Sequence, residues 1–217
     1  MKVAEARKTE LKNQIPQLEE LSLLMDKEKR YDVDTLNWRG YDYRPEVKFA
    51  VAYSDKEIFL KYFVKEECFK AEWTDSNQNV YEDSCVEFFV SPENDGLYYN
   101  FEFNGIGTCL LGSGHGRADT KRADPAIISK IRRLPSSGTN PVKKERKGEI
   151  SWTLTVAIPF GVFFHHKIND LKGKTVRANF YKCGDMLSVP HYVTWNPIAT
   201  ENPDYHRPEY FGELKFV

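Results

Sequence analysis

Between Val80 and Asn104 the apolar residues fall on every second position. Val86, Phe88 and Val90 alternate with Asp83, Cys85 and Glu87; then Phe101 and Phe103 alternate with Asn100, Glu102 and Asn104. Successive side chains of a strand point to opposite faces, so this period of two predicts an antiparallel hairpin buried on one face. Pro92, Asn94, Asp95 and Gly96 supply its turn. If the apolar residues share one face, Glu87 and Glu102 share the other with Asp83, Asn100 and Asn104. Carboxylates and amides gather there with no Lys or Arg among them. That face is either a solvated outer surface or the floor of a cation or polyol site.

The same period recurs along the chain. Val47 to Tyr53, a Ser54-Asp55-Lys56 turn, and Ile58 to Val64 form a second hairpin, and Ile150 to Ile158 alternates cleanly up to Pro159-Phe160-Gly161. Thr175 to Tyr181, His191 to Trp195 and Glu213 to Val217 complete nine or ten strands without the helix–strand alternation of parallel α/β units. One short amphipathic helix is predicted from Pro16 to Met25, apolar at Leu18, Leu21, Leu24 and Met25. The expected fold is an all-β antiparallel sandwich with a short N-terminal helix. At 217 residues it suits one domain with a substantial core.

With 31 basic and 32 acidic residues, the charge balance does not point to nucleic acid, an anionic membrane or a polyanionic substrate. Arg117 to Lys147 holds ten Lys and Arg, but Pro125, Pro135, Gly138 and Pro141 break it into loops around an expected strand, Ile127 to Ile131. No aromatics interleave with its charges as a single-strand-binding groove would need. Gly112-Ser113-Gly114-His115-Gly116 lacks the Gly-Lys-Ser/Thr ending of a phosphate loop. Cys68, Cys85, Cys109 and Cys183 form no CxxC pair, which argues against structural zinc and favours buried free thiols. No apolar run reaches transmembrane length, and the first residues are charged where a signal peptide would be apolar, so a soluble chain is expected.

Aromatics are abundant: 14 Phe, 12 Tyr and 4 Trp. Such rings fill sheet cores, and they also stack on the C–H faces of sugars while carboxylates, amides and Lys satisfy the hydroxyls. Trp195 ends a strand where a Pro-bounded loop begins, and Trp73 lies in the polar stretch Glu72 to Asn77; each is a candidate platform. Trp38 and Trp152 are assigned to the core.

Trp38, the strand Val47 to Tyr53, the block Tyr81-Glu82-Asp83-Ser84-Cys85-Val86-Glu87-Phe88-Phe89, the strand Asn100 to Asn104 and the terminal Phe211-Gly212-Glu213-Leu214 together resemble the family 9 carbohydrate-binding modules, from about Asn37 onward. The resemblance implies an immunoglobulin-like, DOMON-like sandwich over 37–217, with residues 1–36 as a helical extension, in the stand-alone bacterial branch of that family. It implies non-catalytic binding of an oligo- or polysaccharide clamped between two Trp rings, here Trp73 and Trp195. Glu82 or Asp83 would then contact the sugar beside the first ring, Asn196 beside the second, and Lys182 would be the basic contact. It further implies structural Ca²⁺, for which Glu87 and Glu102 are the candidate ligands, a part in polysaccharide breakdown with glycoside hydrolases as partners, and a secreted or periplasmic location with the leader absent. Two other readings stay open. Glu87 and Glu102 could act as the carboxylate pair of a glycoside-active enzyme, although cross-strand neighbours stand roughly 5 Å apart on a flat sheet. Alternatively the chain is an interaction or haem domain of the same fold, with Met186 and His191 as axial candidates.

Overall fold

The computed structural model describes residues 1–217 except Lys12, Gln14 and Asn94; the expected turn residue Asn94 therefore lies outside the described residues. Fourteen strands join into one sheet. In chain order they are β1 (Val3–Lys8), β2 (Arg30–Asp32), β3 (Thr35–Leu36), β4 (Glu46–Tyr53), β5 (Glu57–Ala71), β6 (Cys85–Ser91) and β7 (Tyr98–Asn104). Then follow β8 (Cys109–Gly114), β9 (Lys121–Arg122), β10 (Arg132–Pro135), β11 (Val142–Pro159), β12 (Thr175–Cys183), β13 (Tyr192–Thr194) and β14 (Gly212–Phe216). The main path runs β10-β11-β5-β4-β1-β14-β12-β6-β7-β8-β9.

The link at its centre corrects the purely antiparallel expectation. β1 runs parallel to β14 through Val3 to Ala6, then parallel to β4 through Arg7 and Lys8. Every other pairing is antiparallel, so the sheet is mixed. The sheet curls over its own core rather than splitting into two separate layers. Phe49 on β4 and Phe180 on β12 are not sheet neighbours, yet their rings stack with centroids 3.5 Å apart, and Tyr53 of β4 meets Phe216 of β14 edge-on at 5.1 Å. Between the two halves lie Val86, Phe88, Phe101, Phe103, Leu60, Leu154, Val156 and Trp152. Each large apolar side chain buried this way stabilises the fold by about 1.5–3 kcal/mol before entropy is counted.

Residues 1–36 are not an appendage: β1 is the bridge strand, β2 pairs with β4 and β3 with β13. The helix α1 forms over Leu18–Met25. Leu21 and Met25 pack on a flat patch of Ala50, Ala52, Ala157 and Phe59, where the short alanine side chains let a helix approach. Lys61 on the same face donates to Asp26 Oδ1 at 2.7 Å and to Ser22. The strand expected at Ile127 to Ile131 is instead the short helix α2 (Pro125–Ile128). Asp124 accepts a hydrogen bond from the Ala126 amide and Pro125 presets the first turn, so capping outweighs the β-branched isoleucines.

The opening hairpin forms in the expected register, with Glu87 directly opposite Glu102 and Phe88 opposite Phe101. Its polar face, however, is not solvated. Glu87 is 2% exposed, Glu102 4% and Asn100 2%. Segments 72–82, 184–191 and 197–211 roof that face. The Asp185 amide donates to Tyr81 O at 3.0 Å, and Tyr205 stacks on Tyr181 of β12 at 4.1 Å. Beneath the roof a second aromatic cluster gathers Trp38, Phe89, Tyr98, Tyr181 and Phe211.

Candidate functional site

A cavity of about 380 Å³ opens between this roof and the polar face of the hairpin. Its floor is Glu87 of β6, Asn100 and Glu102 of β7 and Leu110 of β8; Cys183, at the end of β12, closes one side. Tyr81, Asp185, Tyr192, Arg117, Thr120 and Arg122 form its walls, and Pro203 to His206 complete the lining. Gly112 makes room on the floor. It sits opposite Asn100, and a Cβ there would lie 2.5 Å from Asn100 Oδ1.

The floor carboxylates are held differently. Glu102 Oε1 accepts from Asn100 Nδ2 at 2.8 Å, while Glu102 Oε2 and Asn100 Oδ1 have no partner among the described residues. Glu87 Oε1 accepts from the Cys183 thiol at 3.1 Å. Burial, and then the neighbouring Glu102 charge, hold Glu87 well above the usual carboxylate range. Burial likewise lifts Glu102 to about 7, against the lowering effect of its Asn100 bond. Asp185 on the wall is raised by burial to about 6, and its Oδ1 is also unpartnered. Across the cavity Arg117 is paired with Asp204 at 2.9 Å. His206, bonded to the Tyr98 hydroxyl at 2.7 Å, is pushed down to about 4 by burial and then by Arg117, and so is neutral at pH 7.

The sequence-predicted residues divide sharply. Trp73 and Glu82 meet, with the indole N–H donating to Glu82 Oε2 at 3.2 Å. Glu82 Oε1 accepts from Asn79 Nδ2 at 3.1 Å, and Asn79 Oδ1 accepts from Arg122, so Trp73 is tied to the cavity wall without lining it. Asp83 is wholly buried, and its Oδ2 accepts from the Glu72 and Trp73 amides and from Asn104 Nδ2, pinning the stretch that carries Trp73.

Trp195, Asn196 and Lys182 stand elsewhere, which corrects the two-Trp clamp with its amide and basic contacts. Trp195 is 2% exposed and lies edge-on to Phe49 and Phe180 in the core, leaving no ring face free. Asn196 uses both ends of its amide on backbone, accepting from Lys2 N at 2.7 Å and donating to Tyr210 O at 2.6 Å. Lys182 is fully buried against Glu66 at 2.8 Å, with His191 Nε2 also 2.8 Å away. Strand parity is the cause. On β12, Tyr181 and Cys183 lie on the roofed face, so Phe180 and Lys182 lie on the opposite one, toward the main core. The aromatic rings at the cavity are Tyr81, Tyr192 and Tyr205.

The metal reading meets a difficulty of donor chemistry. Among the described residues, the one group of three His, Cys, Asp or Glu donors close enough to share an ion is Cys85, Glu87 and Cys183. Two sulfurs and one carboxylate do not suit Ca²⁺, which takes six to eight oxygens. Glu102 stands outside that group. All four cysteines are free and buried. Nor do the haem candidates present an open ligand pair: His191 has Val189 O and Lys182 Nζ against its two nitrogens, while Met186 is exposed.

Neighbouring strands of the alternating sequence, roofed by three loops, enclose a cavity of small-molecule size on a sheet face. The chain belongs to carbohydrate-binding family 9, whose model matches residues 18–216. A crystal structure from Bacteroides uniformis, of a protein for which carbohydrate binding is proposed, is 40% identical; the match covers 100% of this chain and 99% of that one with a TM-score of 0.95. Family 9 modules from Caldicellulosiruptor kristjanssonii, one in complex with glucose and one with cellotriose, are 10% identical with TM-scores of 0.60. They are matched over 96% and 93% of their length, by 100% and 99% of this chain, and share its fold. Among curated proteins none matches.

Proposed function

We propose that the cavity over Glu87 and Glu102 is the saccharide site of this family 9 protein. The observation that carries this is the pair of unpartnered, buried acceptors, Glu102 Oε2 and Asn100 Oδ1, at the floor of a 380 Å³ cavity rimmed by tyrosines. A buried polar atom without a partner costs about 1–3 kcal/mol, and a sugar hydroxyl relieves that cost by donating. The stacking role expected of Trp73 and Trp195 passes to Tyr81 and Tyr192, which are half-buried at the cavity. Family membership supports a part in polysaccharide breakdown beside glycoside hydrolases.

Calorimetric titration with a mono- and oligosaccharide panel tests the site. The wild type binds at least one member; Tyr192→Ala and Glu102→Ala each weaken that binding about tenfold or more, while Trp195→Phe leaves it unchanged. Undiminished binding in both cavity variants would remove the site from this cavity. The raised pKa values of Glu87 and Glu102 favour a second reading as a catalytic acid pair. Its signature is release of reducing sugar by the wild type that Glu87→Gln abolishes.

A further inference from the structure

Several features of the cavity point to the class of sugar it takes, and the inference rests on the saccharide reading above. Among the described residues, the lining side chains carry three buried atoms without a partner, Glu102 Oε2, Asn100 Oδ1 and Asp185 Oδ1, which are acceptors when the carboxyls are ionised. Four nearby donors are engaged elsewhere: Asn100 Nδ2 with Glu102 Oε1, the Cys183 thiol with Glu87, Arg117 with Asp204, and Arg122 Nη2 with Asn79. A ligand that brings donors satisfies these acceptors. A neutral hydroxyl brings one hydrogen, whereas an ammonium brings three and a positive charge.

Charge points the same way. The lining carries Glu87, Glu102, Asp185 and Asp204. Arg117 neutralises Asp204, His206 is neutral, and Arg122 is the remaining cation among the described lining residues. Burial holds Glu87 toward its neutral form, so Glu102 and Asp185 supply the buried negative charge, which a cationic ligand offsets. We infer that the cavity takes a 2-amino-2-deoxyhexose with a free, protonated amine, seated against Glu102, Asn100 and Asp185.

The direction of the pH dependence follows. Asp185 and Glu102 are raised by burial to about 6 and about 7, so between pH 5 and 7 they become anionic while the amine stays protonated. Hexosamine affinity rises across that interval and binding releases protons. Neutral hexoses, which gain nothing from the new charge, show no such rise.

Titration calorimetry of the full chain with glucosamine, galactosamine and mannosamine, each beside its neutral parent and its N-acetyl form, decides the matter at pH 5, 6 and 7. At least one free-amine sugar binds about tenfold more tightly than both counterparts at pH 7, and this margin narrows at pH 5. Glu102→Gln and, as a second variant in case the first misfolds, Asp185→Asn each bring the free-amine to neutral affinity ratio close to one. If neutral sugars bind as well as or better than every free-amine partner, the inference falls and the saccharide site stands. If no sugar of the panel or of a wider glycan set binds, the saccharide reading falls and takes the inference with it.

Discussion

Glu102 is where sequence and burial meet most directly. Its folded-state value near 7 exceeds its ordinary 4.5, so the folded chain holds more protons than the unfolded one between those values. Stability therefore falls as pH rises through that window. The histidines work in the opposite sense. His191 and His206, lowered mainly by burial to about 3 and about 4 from 6.5, make stability rise with pH up to 6.5. Above 6.5 only the carboxyls remain, so the wild-type melting temperature is expected to decline from pH 6.5 to 8. Glu102→Gln removes that loss: relative to wild type the variant gains about 3 kcal/mol between pH 4.5 and 8, measured by urea unfolding at each pH. A pH-independent difference would show that Glu102 is ordinary in the fold. Lys182 illustrates the other kind of buried charge. Lys182→Ala leaves Glu66 without its counter-ion and is expected to cost about 3–5 kcal/mol in the same measurement, without altering sugar affinity directly. The pairing of Glu87 with Glu102 was legible in the alternation, whereas the coverage of that face was not, because period two tells only which residues share a side.

Two elements decide how the site is presented. The segment before β6 has little regular structure, yet Asp83 Oδ2 gathers two backbone amides and Asn104, and Thr108 Oγ1 and Asn104 Nδ2 hold Trp73 O. Asp83→Ala orphans those donors at about 1–3 kcal/mol each. The Glu72 and Trp73 amides should then exchange hydrogen markedly faster, and unchanged exchange would remove Asp83 as the anchor. Its acidic block was visible in the sequence as a feature of the site; its work proves to be structural, one layer behind the cavity. The strand β12 carries the same lesson in its parity. Phe180 stacks on both Phe49 and Phe88, so Phe180→Ala is expected to cost about 3–5 kcal/mol in chemical unfolding. Trp195 packs edge-on to Phe180 and so belongs to the core with it. An aromatic at a strand end reads alike in sequence whether it turns inward or outward. Arg117 and Arg122 show the converse: in a basic, Pro-broken loop they carried no aromatic or spacing signal, and only the fold of that loop over β8 brings them to the wall.

At the scale of the whole molecule, binding and folding are linked. A sugar held only by the folded chain, at one hundred times its dissociation constant, adds about 2.7 kcal/mol. For a chain of this size that corresponds to a rise of roughly 5–10 °C in melting temperature. A saccharide that binds by calorimetry without shifting the transition would have to bind the unfolded chain equally. The strand content, the two main hairpins and the family were determined by the sequence itself, because alternation and turn residues are local and survive without knowledge of partners. The closure through β1 was decided by tertiary structure. Parallel pairing on both sides joins segments distant in the chain, and nothing in a six-residue strand names its neighbours. Tertiary structure also decided which Trp is core and which tyrosines line the cavity, and that Glu87 and Glu102 are roofed rather than wet. Burial depends on the loops that fold over a face, and the charge state of a carboxyl depends on burial.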